Sequence, residues 1–184
     1  MTEIWPREPY DLGFCGQSLA TTYFDTGAWD LRKARQQRDK YLTLRVRCYN
    51  GDQSEELYTL SAKTESEKFR VEIPTEQAAK ILLGEDTRSY FERLLPANLQ
   101  ARLLELAEDR PLYPVATIWC RRYAVEDDND RLTLDSEVHT SLGKSMAYAV
   151  LEFKSARSDP VPERLAGLRL APTKLSKFLW ATTA

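Results

Sequence analysis

The chain has one histidine, three cysteines, two methionines and seven glycines in 184 residues, and no long apolar run. A lone histidine, His139, with no cysteine beside it removes the usual ligand sets of zinc. It also has no recognisable serine or cysteine partner for nucleophilic catalysis. Cys15, Cys48 and Cys120 are odd in number and lack CxxC spacing, which excludes a disulfide framework and a thioredoxin-type motif. Free thiols fit a cytoplasmic location. No stretch approaches the roughly 20 apolar residues that a membrane span needs, and the N-terminus lacks a signal-peptide pattern. Excess charge is absent too: 26 basic residues face 28 acidic ones, for a net charge of −2. Nothing global therefore attracts nucleic acid or an anionic membrane. Any anion site is local, which favours a small, highly charged ligand over a duplex.

What the chain does have is charge at two-residue spacing inside apolar, β-branched runs: Arg45/Arg47, Arg70/Glu72, Arg131/Thr133/Asp135 and Glu152/Lys154. A strand alternates faces with period two, so the members of each set point the same way. Several strands with charge on one face and apolar side chains on the other predict an antiparallel barrel or strongly curved sheet with a polar, largely basic interior. The expected strands are 19–24, 41–49, 57–63, 68–73, 115–125, 131–137 and 147–154. Asp25-Thr26-Gly27 reads as a turn, Asn50-Gly51 as a hairpin signal, and the acidic segment 126–130 as a solvated hairpin turn, since it lacks the spacing of a calcium loop. Residues 30–39 read as a short helix or a solvated loop. A short helix is expected from Thr75 to Leu83, and another at 162–168. Residues 86–109 carry leucines and aromatics at helical spacing with a break near Pro96, which predicts a helical hairpin packed outside the sheet.

The basic residues expected inward are Arg45, Arg47, Lys63, Arg70, Arg131 and Lys154, with either Arg121 or Arg122. Arginine forks match phosphate oxygens and lysine supplies a mobile point charge. So many cations in one cavity repel, and inward Glu72, Asp135 and Glu152 offset part of that. The same carboxylates suit Mg²⁺ or Mn²⁺, which bind phosphate oxygens and keep part of their shell as water.

Tyr23-Phe24-Asp25-Thr26 followed by Thr43-Leu44-Arg45-Val46-Arg47-Cys48-Tyr49 resembles the triphosphate tunnel metalloenzyme (CYTH) superfamily. Arg131-Leu132-Thr133-Leu134-Asp135, Leu151-Glu152-Phe153-Lys154 and Lys174-Leu175-Ser176-Lys177-Phe178 resemble its VTC-domain, polyphosphate-polymerase branch. The order and spacing agree over roughly residues 19–178. The resemblance implies an α+β fold: an antiparallel β-tunnel of about seven to eight strands with helices outside. The length makes the chain most simply a single domain, 1–184; residues 1–17, with two prolines, two glycines and little periodicity, read as an irregular arm, and the resemblance places the tunnel domain at 19–178. The resemblance further implies phosphate clamps at Arg45, Arg47, Lys63 and Arg131, a divalent-cation ligand at Glu152, and a basic pair near the C-terminus at Lys174 and Lys177. The inward rows themselves add Arg70 and Lys154 as substrate-binding residues and Glu72 as a second metal ligand. Arg121 fits the family arginine if Trp119 stands for its aromatic residue; shifting the match by one selects Arg122. Arg121 is preferred because it shares a strand face with Thr117 and Trp119, leaving Ile118 and Cys120 for packing.

The family's first strand, with alternating glutamate and lysine, has no match before Tyr23, and Thr43 replaces a lysine common before the two arginines. A missing strand would open the tunnel or leave an edge to be paired by another subunit, and would remove any metal ligands it carries. Two functions follow. One is metal-dependent phosphoryl transfer on polyphosphate, tripolyphosphate or a nucleoside triphosphate, as a hydrolase or a polymerase, with a cyclase-like reaction as a further use of the scaffold. The other is a non-catalytic polyanion-binding module.

Overall fold

The structure, a computed structural model, describes residues 16–38, 40–50, 57–126, 130–155 and 175–183. Its strands are β1 (Gly16–Thr26), β2 (Thr43–Asn50), β3 (Leu57–Lys63), β4 (Lys68–Ile73), β5 (Leu112–Glu126), β6 (Asp130–Thr140) and β7 (Val150–Ser155). They form one antiparallel sheet in the order β4-β3-β2-β1-β5-β6-β7. Among the described residues the helices are α1 (Asp30–Gln37), α2 (Thr75–Leu82), α3 (Thr87–Leu94), α4 (Ala97–Ala107) and α5 (Lys177–Thr182). The sheet is not closed: among the described residues β4 and β7 each have a single hydrogen-bonded neighbour. No helix among them is long and apolar enough to cross a membrane.

The turn after β1 is built around Asp25. Its fully buried carboxylate accepts the backbone N–H groups of Thr26 at 2.8 Å, Leu31 at 2.9 Å and Arg32 at 2.9 Å. Those of Leu31 and Arg32 lie in the first turn of a helix, where they have no intrahelical acceptor. The strand end thus caps the helix that follows it, and of the two expectations for 30–39 the helix is the one formed.

Each face of the sheet has its own core. On the outer face Phe24, Leu44, Val46, Leu60 and Ala62 pack against Leu31 of α1, Ile81 of α2, Phe91 of α3 and Leu99 and Leu103 of α4. Phe24 and Phe91 meet edge to face at 5.3 Å. α3 and α4, separated by Pro96, are the expected helical hairpin. On the inner face a smaller cluster joins Leu19, Tyr23, Ala116, Ile118, Cys120 and Val138 to Phe178 and Ala181 of α5. Tyr23 stacks on Phe178 at 5.1 Å. The concave side of the sheet is therefore apolar where α5 sits and polar beyond it.

β1 begins at Gly16, inside the stretch read as an arm, and β5 starts earlier and β7 later than expected. Residues 1–15, the Gly51 turn position, 127–129 of the acidic segment and the 162–168 helix lie outside the described residues.

Candidate functional site

Strand register fixes which side chains share the concave face. Across β1, β2 and β3, Tyr23 stands opposite Arg45, which stands opposite Ser61; Thr21, Arg47 and Thr59 form the next row. On β4, Arg70 pairs with Ser61 and Lys68 with Lys63. On the other wing Arg122 stands opposite Asp135, Thr133 opposite Glu152 and Arg131 opposite Lys154. The period-two sets read from the sequence thus lie on one surface, which the curvature of the sheet wraps into a basin.

Two adjoining cavities occupy that basin, of about 340 Å³ and 160 Å³. Arg45, Arg47, Lys63, Arg122 and Glu152 line both. The larger reaches Tyr23, Arg35, Ser176, Lys177 and Phe178; the smaller reaches Tyr49, Lys68, Arg70, Arg131, Thr133 and Lys154. Side chains of the two edge strands, β4 and β7, thus line the smaller cavity together. Among the described residues Glu152 is the one carboxylate in either lining.

The electrostatics follow from that imbalance. Burial and the neighbouring Arg47 lower the pKa of Arg45. Burial, Arg35 and Arg45 lower that of Lys63. Burial and repulsion from Arg70, Arg45, Arg47 and Lys154 bring Lys68 down to about 8. Burial pushes the Tyr49 phenol up, but Arg47, Arg70 and Arg122 outweigh it and lower its pKa. The Nε atoms of Arg45 and Arg47, with the hydroxyls of Thr59 and Ser61 beneath them, are buried without a hydrogen-bond partner.

Asp135, 2% exposed, anchors the opposite wall. Its Oδ1 and Oδ2 accept Arg122 Nε and Nη2 at 2.6 and 2.7 Å, and Oδ2 also accepts Lys177 Nζ from α5. Burial pushes the Asp135 pKa up, yet the bonds from Arg122 and Lys177 hold it below its ordinary value. Glu152 pairs with Lys154 at 3.1 Å. Burial raises its pKa, while Lys154, Arg122 and Lys177 bring the balance below the usual value.

Among the described residues no three His, Cys, Asp or Glu side chains converge on a point. Both oxygens of Asp135 are already engaged. Glu72 is on the concave row of β4, opposite Thr59, but it is exposed and lines neither cavity. What remains among the described residues, a single half-exposed carboxylate at Glu152, is one oxygen ligand for a hard divalent cation that keeps much of its shell as water.

One expected placement is corrected. Arg121 does share a face with Thr117 and Trp119, but that is the outer face, opposite Ser136 and Ser18; the cavity arginine is Arg122. Ile118 and Cys120 do pack, but on the concave side, because α5 covers that part of it. Lys174 lies outside the described residues. Tyr23, Arg35, Tyr49, Lys68 and Ser176 line the cavities without having been singled out. Parity with Arg45, Arg47 and Arg70 would have found Tyr49 and Lys68.

A family model, the VTC domain, matches residues 15–183. Among solved structures the chain is similar to a proposed adenylate cyclase from Bacillus halodurans. There the identity is 16%, the TM-score 0.53, and the coverage 92% of this chain and 93% of that one. It is also similar to a proposed adenylyl cyclase from Hippeastrum described as having a dominant triphosphatase activity. In that case the identity is 17%, the TM-score 0.45, and the coverage 83% and 70%. Among curated proteins none matches. At these identities the Bacillus halodurans likeness shows a shared fold.

Proposed function

The chain belongs to the VTC-domain family, and from that premise we propose that its basin binds a linear condensed phosphate and performs metal-dependent phosphoryl transfer on it. The substrate class is polyphosphate, tripolyphosphate or a nucleoside triphosphate. One observation carries this reading: cations from every strand but β1 converge on one concave surface where, among the described residues, Glu152 is the only lining carboxylate. Without an anion these cations repel one another, and burial together with that repulsion lowers the pKa of Arg45, Lys63 and Lys68.

Arg45, Arg47 and Lys63, shared by both cavities, hold and neutralise the phosphoryl oxygens. Charge stabilisation of this kind is the main work a protein does in phosphoryl transfer. Arg122 and Arg131 close on the chain from the other wing, and Arg70, Lys68, Lys154 and Lys177 extend the contact along it. Glu152 would hold Mg²⁺ or Mn²⁺, which when bound neutralises charge on the phosphate oxygens. Water as acceptor makes the reaction a hydrolysis; a phosphate chain as acceptor makes it a polymerisation. The edges of β4 and β7, which have no further strand beside them among the described residues, are where a second copy of the chain would add a strand.

A specific observation favours a second reading, a polyanion-binding module without turnover. Asp135 is fully engaged and Glu152 is tied to Lys154, so the described residues bring few carboxylates to a metal. The two readings separate on incubation with tripolyphosphate, ATP and long-chain polyphosphate, with and without Mn²⁺ or Mg²⁺. Metal-dependent product that disappears in Glu152→Gln, with binding retained, supports phosphoryl transfer. Binding without product supports the module, and no binding at all refutes both.

A further inference from the structure

We propose that Asp135 is a positioning residue that yokes Arg122 and Lys177 into a single anion clamp, so that a bound condensed phosphate fastens α5 to the sheet. The inference rests on the reading of the basin as a condensed-phosphate site. Asp135 itself lines neither cavity, whereas Arg122 lines both and Lys177 lines the larger. The carboxylate stands behind the wall, and the two cations stand in it.

The donor geometry leaves both cations able to do more. Asp135 takes Nε and Nη2 of Arg122, which fixes the guanidinium plane and leaves Nη1 for a ligand oxygen. Lys177 Nζ gives one of its three protons to Oδ2 and keeps two. Together the three groups carry one net positive charge, and an entering phosphoryl group needs to break neither ion pair. The fork fixes direction as well as charge, which a lone lysine does not.

Lys177 is also the first residue of α5. The helix is short, capped by the Ser176 hydroxyl on the N–H of Leu179, and rests on the sheet through Phe178 and Ala181. An anion held between Nη1 of Arg122 and Nζ of Lys177 adds a tie between β5 and α5. By reciprocity, whatever loosens α5 weakens anion binding by the same factor.

A plain counter-charge in the same position predicts the opposite sign. Removing a negative charge from beneath a polyanion site raises affinity if that charge does nothing else. The test is titration calorimetry with tripolyphosphate on wild type, Asp135→Asn and Asp135→Glu, with hydrogen exchange of the α5 amides in the presence and absence of ligand. We expect Asp135→Asn to weaken binding about tenfold, the scale of a lost charge-assisted bond, and to abolish the ligand-induced protection of 177–182. Asp135→Glu should recover part of both.

Equal or tighter binding by Asp135→Asn overturns the proposal, as does protection of α5 that survives in it. Should Asp135→Asn fail to fold by thermal melting, Lys177→Met leaves the Arg122–Asp135 pair intact and serves the same end. Ligand-induced protection of α5 must vanish there, and its persistence overturns the yoke. A wild-type chain that binds no tripolyphosphate overturns the condensed-phosphate reading itself, and does so before any variant is made.

Discussion

Raising the pH from about 7 to about 9 should loosen an anion held in the basin, and Lys68 supplies the main reason. Its ammonium is on β4 opposite Lys63. Burial and repulsion from Arg70, Arg45, Arg47 and Lys154 bring its pKa from 10.5 to about 8. A bound polyanion cancels the repulsion and returns the proton, so binding above that pKa takes up a proton. Because the charged form is the one that attracts phosphate, affinity falls as pH rises through about 8. Full restoration of the ordinary pKa in the complex would make the loss about tenfold between those two pH values. Lys68 is exposed, and solvent screening reduces the expected loss to roughly two- to fivefold. Lys63, whose pKa burial, Arg35 and Arg45 lower, acts in the same direction.

The effect on folding has the opposite sign. Between about 8 and 10.5 the unfolded chain holds more protons on Lys68 than the folded one, so the ligand-free fold gains stability as pH rises across that window. The assay is titration calorimetry with tripolyphosphate at both pH values, in two buffers of different ionisation enthalpy, for wild type and Lys68→Arg. The arginine keeps the charge and removes the titration, while the ligand's own ionisation is common to both proteins and cancels in the difference. Equal pH dependence in the two proteins, or equal proton uptake by both, would refute the reasoning.

Arg45→Ala should weaken tripolyphosphate binding at least tenfold at low salt and less at high salt, whereas Arg121→Ala, on the outer face, should stay within about twofold; equilibrium binding of both variants tests the register. Asp25→Ala removes the acceptor of three backbone N–H groups, two of them at the start of α1, and should cost about 1–3 kcal/mol of stability, read by chemical denaturation.

The concave row was legible because strands alternate: Arg45 and Arg47, Arg131 and Asp135, Glu152 and Lys154 were placed on one face by period alone. The helical pair α3 and α4 was legible from the spacing of Phe91, Leu99 and Leu103. The reading failed at Arg121 for an identifiable reason. It took apolar residues as marking the outer face, whereas Ile118 and Cys120 are concave residues covered by α5. A helix folding back onto the inner surface is a long-range event, and period-two patterning along β5 contains no trace of it. The same holds for Arg35, which reaches the larger cavity from α1, and for the engagement of Asp135 by Lys177, which brings together residues 42 apart in sequence.

The order of the strands sets a schedule for synthesis. β1 emerges first yet occupies the middle of the sheet, and its second neighbour is β5, with Thr26 meeting Leu112 and Gly16 meeting Tyr123. The β2-β3-β4 meander can assemble on one side of β1 from nearby sequence, but the other side must wait until β5 has left the ribosome. At roughly 5–20 residues per second that wait lasts on the order of ten seconds. Throughout it, a strand carrying Leu19, Tyr23 and Phe24 presents an unpaired edge, the kind of surface that recruits strands from other chains. Nascent chains of this protein are therefore at their most vulnerable to misassociation between completion of β4 and arrival of β5.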